Sequence, residues 1–487
     1  MKNSFRALLA VVLLAGFPLL VLALVAAIVV VEVFAFRNRL SHGLEFAVFA
    51  APATYVLLRA LFTFDRAGDA PGLPITGEAQ PELWALVREV AEAVGTAPPD
   101  EIRIMNRANA AVSERTHWFG LRVTGRTLLI GAPLFAGLRV TELRAVLGHE
   151  FAHYSNRDTR FAGATYRGGV AILRVLSGLD GASWFSLLLR PMFHVYGWVY
   201  FAVSARVSRD QELAADVAAA QVAGTAAATS ALREIKALGA VWLVFAREYL
   251  LMGWDAGYLP DRPAEGYRRL LTDETRASET ARPSQNPPEE KPSPFDSHPP
   301  TAERIRVLEA AGVIPGPGPE NRPASELLRN AEAVLDTAWF ADLSDEGRTK
   351  QRTDWDTLAD VSSRHKFGEL AAKVLRDRSV SDVLDALDAG RLADLADPDL
   401  PIPADADEQT RRQLVTESAR IRLSFVALSQ AAGAGGAQWT ISWSKVDALL
   451  LTPRYNGTLL PAIDAAVAGD SAALRALLSE PNRVPSA

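Results

Sequence analysis

His149-Glu150-Phe151-Ala152-His153 places two imidazoles four residues apart, with a carboxylate directly after the first. On a helix, positions i and i+4 share a face, so both rings can reach one metal ion. Glu150 then projects beside that metal, where a carboxylate can take a proton from water and serve as general base. Two histidines need a third protein ligand, with the fourth position left open. Ser208 to Asp216 offers it: Glu212 and Asp216 are again i and i+4, and Ala214 and Ala215 between them permit close helix packing. Glu212 as ligand, and Asp216 as the carboxylate holding a ligand imidazole by its other N–H, is a coherent assignment. Taken alone, each segment has a plainer reading, a packed histidine pair and a solvated acidic helix face. Only together do they describe a metal site.

The elements that must position these groups are legible around them. Val140 to Gly148 leads into the motif with Thr141 as a helix N-cap and Glu142 in the first turn. Leu143, Val146, Leu147 and Phe151 recur at helical spacing, which gives the segment a face to bury. Upstream, Arg126 to Gly131 reads as a short strand. The order strand, connection, metal-binding helix suits an edge strand lining a cleft, where a peptide could add as a further strand. Pro81 to Val94 reads as an amphipathic helix, Glu101 to Met105 as a strand, and Gly68 to Pro74 as a linker.

Asn109-Ala110, the His149 motif, the Glu212/Asp216 segment and Ser297-His298-Pro299 with Arg304 occur in that order. In this the chain resembles HtpX-like membrane metallopeptidases, relatives of the CAAX prenyl endopeptidases, over about residues 80 to 312. The resemblance implies a gluzincin-type zinc endopeptidase in which His149, His153 and Glu212 bind zinc and Glu150 is the general base. It further implies that His298 stabilises the oxyanion and that Arg304 orders the site by pairing with a carboxylate such as Asp216. Asn109 and Ala110 would sit on the substrate-binding edge strand. From electrostatics alone, either His298 or Arg304 can meet the developing oxyanion.

Ala7 to Val31 is an uncharged run of 25 residues, enough to cross a bilayer as a helix. Lys2 and Arg6 before it also fit a signal peptide, although the apolar core is long for one. A second, weaker span covers about 45–64, with Arg59 near its end. The two would form a hairpin. Lys2 and Arg6 argue for a cytoplasmic N-terminus, while Arg37 and Arg39 argue the opposite. The resemblance favours an inside N-terminus, hence an integral protein of the cell's inner or plasma membrane with a cytoplasmic catalytic domain. Between the metal motifs, about 168–207 reads equally as a membrane hairpin or a buried helical lid. His194 there is an interfacial or packed histidine rather than a ligand.

The fold expected is mainly α with a small β-sheet, in three parts. Residues 1–66 form the anchor, with transmembrane helices at about 7–31 and 45–64. Residues 67–315 form the metallopeptidase domain, with a flexible loop at 273–294. Residues 316–487 form a helical accessory domain with no nucleotide loop or second metal cluster. The absence of cysteine makes disulfides impossible. A net charge of −6 leaves no electrostatic footprint for nucleic acid, so the expected partners are protein or peptide substrates and the lipid bilayer. Two functions follow. The first is a membrane-anchored zinc endopeptidase acting on membrane or misfolded proteins in quality control. The second is a catalytically inactive membrane adaptor whose C-terminal helices bind partners. Substrate preference and oligomeric state are not encoded legibly.

Overall fold

A computed structural model describes residues 2–38, 48, 50–52, 54–58, 70–117, 122–155, 172–173, 175–177, 184–274, 299–318, 322–444 and 447–479. The protein is mainly α-helical with small β-sheets. Two compact units are formed: residues 1–242 with 279–342, and residues 243–278 with 343–487.

In the first unit, helix α1 (Lys2–Arg37) is followed by strand β1 (Leu73–Ile75), so Leu73 and Pro74 belong to a strand rather than to a linker. Helix α2 (Pro81–Val94) has the predicted bounds. Proline opens it, Gly95 closes it in the left-handed conformation, and Leu83, Leu86, Val87, Val90 and Ala91 form its buried stripe. Strands β2 (Glu101–Met105), β3 (Ala110–His117) and β4 (Arg122–Gly131) complete a four-stranded sheet of order β1-β2-β4-β3. The parallel β2–β4 pair forms its core, with Ile102, Ile104, Leu128 and Ile130 fully buried. The strand predicted at 126–131 is therefore longer than expected and lies inside the sheet. The edge is β3, antiparallel to β4, because the chain turns back through Arg107–Asn109 before β4 is reached.

Helix α3 (Ala132–Gly137) leads to α4 (Val140–Ser155), which carries the His149 motif. It starts one residue before Thr141. The capping acceptor is Glu142, whose carboxylate takes the Arg139 backbone N–H at 2.8 Å and the Ser230 hydroxyl at 2.6 Å. Leu143, Val146, Leu147 and Phe151 are all buried, as their spacing predicts. Helix α5 (Trp184–Ala223) is 40 residues long, with Pro191 inside it, and packs on both α1 and α4. Helices α6 (Thr225–Val244), α7 (Pro263–Thr272) and α8 (Thr301–Ala310) follow.

The first half of α5 shares a buried apolar cluster with α1. Phe17, Val21 and Ile28 meet Phe193 and Tyr200, with Ala50, Leu57, Ile172 and Val175. Ala15–Arg37 is, among the described residues, the helical stretch long and apolar enough to cross a membrane. Its outer face is open, with Leu19, Val30 and Phe34 each more than 60% exposed. Of the second predicted span only 48, 50–52 and 54–58 are described, and they are helical. The predicted flexible loop lies outside the described residues except for 273 and 274.

The second unit has its own core. Helices α9 (Trp355–Leu375), α10 (Val380–Asp388), α11 (Glu408–Gly433) and α12 (Leu459–Val467) enclose Leu384, Leu387, Leu423, Val426, Trp439 and Ile463.

Candidate metal centre

Helix α4 brings His149 and His153 to one face, with ring centroids 4.8 Å apart and planes nearly perpendicular. Helix α5 crosses that face closely because small residues line the contact. A Cβ on Gly148 would sit 3.3 Å from the Ala219 Cα, and Ala215 and Ala219 are buried. The crossing delivers Glu212, itself buried, to the two imidazoles. The donor atoms form a compact triangle. His149 Nε2 lies 3.3 Å from His153 Nε2 and 3.4 Å from one Glu212 oxygen, and His153 Nε2 lies 3.5 Å from the other. A tetrahedral zinc site with ligand bonds of about 2.0–2.1 Å has ligand-to-ligand edges of about 3.3–3.4 Å. The His149–His153 edge matches this, and one donor atom from each of His149, His153 and Glu212 lies within 4.8 Å of the others, so the set can hold zinc by chemistry and proximity.

Behind this triangle sits a buried ion pair. Asp216, one turn beyond Glu212, accepts from Arg304 Nε at 2.8 Å and Nη2 at 2.6 Å, and lies 3.1 Å from His149 Nδ1. Donation of Nδ1–H to Asp216 fixes the tautomer, so Nε2 presents its lone pair to the metal position. Arg304 comes from α8 and also lies 3.6 Å from Glu212. Burial works against the charge on Asp216, but the Arg304 hydrogen bonds and His149 outweigh it and hold the carboxyl below its usual range. Burial likewise opposes a charged His149. The Asp216 and Glu212 carboxylates overcome it and, with protein groups alone, push the imidazole up to about 9.

Residues 77–311 match peptidase family M48. They form an M48 peptidase domain. This is a family of zinc-dependent metallopeptidases, so the protein is a hydrolase with zinc as its cofactor. No solved structure matches the chain.

Within the M48 domain the sequence-predicted residues fall as follows. His149, His153, Glu212, Asp216 and Arg304 converge. Glu150 is half-buried on the same helix and adds to the negative field at His149. Ala110 opens the edge strand and is buried, and Asn109 is exposed, its carbonyl accepting from Gly131 N–H at 2.8 Å. His298 lies outside the described residues. His194 is exposed on α5 and takes a hydrogen bond from Arg190 Nε at 3.2 Å. Two contacts had no reading in the sequence. Gly148, which sets the helix crossing, is the small residue before a ligand. Tyr154 follows the last motif histidine and donates its hydroxyl to the Val112 carbonyl at 2.6 Å.

Proposed function

We propose that the protein is a membrane-anchored endopeptidase that hydrolyses internal peptide bonds of membrane or misfolded proteins. The observation that carries this reading is the His149/His153/Glu212 triangle, braced by Asp216 and Arg304, on a helix packed against a sheet edge. Zinc, once bound, acidifies water and polarises the scissile carbonyl. Glu150 takes the proton of the attacking water and passes it to the leaving amine as the C–N bond breaks. Arg304 is occupied by Asp216, which favours His298 as the group that meets the oxyanion. Strand β3, beginning at Ala110, holds the substrate main chain.

The anchor rests on α1, whose open apolar face suits lipid rather than water. Glu212 lies on the same helix as Tyr200, twelve residues or about 18 Å further along, which sets the centre just beyond the apolar cluster. Lys2 and Arg6 support a cytoplasmic N-terminus and catalytic domain. With no native cysteine, a Val313→Cys variant gives a clean test, since that side chain is 91% exposed. A membrane-impermeant maleimide should label it only after lysis, and labelling in intact cells reverses the orientation.

The activity test uses detergent-purified, zinc-replete protein beside Glu150→Gln, with casein as substrate. Cleavage by the wild type alone, abolished by a chelator, is expected. A Glu150→Gln variant as fast as wild type removes Glu150 from the mechanism. Absence of both cleavage and bound zinc transfers the function to the adaptor reading.

A further inference from the structure

The register of the sheet edge identifies a residue that shapes the substrate groove. Gly131 N–H donates to the Asn109 carbonyl, and Ala110 pairs with Ile130, so the hydrogen-bonded partners on β3 are the odd residues Asn109, Ala111 and Ser113. The backbone groups of Ala110 and Val112 therefore point away from β4, to the side of β3 that no described strand occupies. These are the groups that an added substrate strand would pair with. One of them is already engaged. The Tyr154 hydroxyl donates to the Val112 carbonyl at 2.6 Å, a short and well-made bond. The tyrosine is held in place from its other side, with the Arg126 guanidinium 5.4 Å from its ring centroid. Its position is tied to the metal site as well, since it directly follows His153 on α4.

We infer that Tyr154 is a specificity-determining residue. By occupying the Val112 carbonyl, it ends the substrate-pairing edge after Ala110. A carbonyl has a second lone pair, but a substrate N–H would have to reach it from the side that the Tyr154 hydroxyl occupies. The substrate backbone then pairs with Ala110 and leaves the sheet before Val112. Binding through so short an edge supplies few main-chain hydrogen bonds. The enzyme therefore selects segments that are locally extended over only a few residues, not long preformed strands.

This inference rests on the endopeptidase reading, and its test separates the two. A peptide spanning a site cut by the wild type is synthesised with single backbone N-methyl groups at successive positions. Each methyl removes one N–H donor. The peptides are compared for KM and kcat with wild type and with Tyr154→Phe, which keeps the ring and frees the Val112 carbonyl. In the wild type, N-methylation at the residue donating to Ala110 should raise KM at least tenfold. N-methylation two residues away, opposite Val112, should change it less than twofold. In Tyr154→Phe the second position should become sensitive as well, with zinc content equal. Equal sensitivity at both positions in the wild type overturns the inference, as does a Tyr154→Phe pattern identical to wild type. Tyr154→Leu, which removes the hydroxyl together with the ring, should show the same two-position sensitivity and serves if Tyr154→Phe folds poorly; a wild-type pattern in it overturns the inference. If the wild type cuts no peptide at all, the endopeptidase reading falls, and this inference with it.

Discussion

Replacing Asp216 by asparagine keeps the shape of the side chain and removes its charge. The carboxylate serves two donors at once: Arg304, through Nε and Nη2, and Nδ1 of His149. An asparagine has one oxygen for both, and whichever way the amide turns, its NH2 faces a donor. One charge-assisted bond, worth about 1.5–3 kcal/mol, is lost, and a guanidinium only 11% exposed is left beside Glu212. Breaking a buried pair in this way costs about 3–5 kcal/mol of stability in the zinc-stripped protein. Zinc affinity should fall ten- to a hundredfold, about 1.4–2.7 kcal/mol, because His149 loses the group that orients it. Competition against a chromophoric chelator reads the second quantity, and urea unfolding in detergent reads the first. The double variant Asp216→Asn/Arg304→Met separates them. Removing both charges should restore much of the stability while leaving zinc affinity low, since Nδ1 still lacks its carboxylate. An Asp216→Asn protein with wild-type zinc affinity and stability would refute the whole chain of reasoning.

Other perturbations follow from the same geometry. The His149 imidazole is raised to about 9 from its ordinary 6.5, so its contribution to the zinc-stripped fold is complete below about 6.5 and is lost as pH rises through about 9. Zinc must displace that proton, so chelator titrations at pH 7 and pH 8 should differ by about tenfold in affinity, and equal values would contradict the shift. Gly131→Ala would put a Cβ 1.7 Å from the Arg107 carbonyl oxygen, against backbone. It should destabilise by about 3 kcal/mol or more in urea and impair cleavage by moving the start of β3. Gly368→Ala in α9 meets open space and should instead stabilise by about 0.5–1 kcal/mol. Gly148→Val should push α4 and α5 apart and weaken zinc binding, while a wild-type titration would mean that the crossing is not tight.

Much of the site was legible because helical periodicity is local. The i, i+4 pairs His149/His153 and Glu212/Asp216 are each fixed by one turn of helix, although the second reads as ligand and support only beside the first. The bounds of α2 were readable for the same reason, with Pro81 and Gly95 as punctuation. The edge strand was misplaced because strand order is not local. Arg126 to Gly131 has the composition of a strand, but whether β4 or β3 lies outermost depends on how the chain returns through Arg107–Asn109. The helix start was missed by two residues because Glu142, rather than Thr141, provides the capping acceptor.

The sequence by itself determined the chemistry: which residues can bind zinc, which carboxylate can move a proton, and which stretch is apolar enough for a bilayer. These depend on side-chain type and on spacings within one or two turns. Only the tertiary structure decided that Glu212 meets both histidines and that Arg304 is spent on Asp216. It also decided that Tyr154 closes the edge at Val112. Those contacts join residues 42 to 88 positions apart. The one to Glu212 exists because glycine and alanine at the α4–α5 crossing let two helices approach until their polar groups touch.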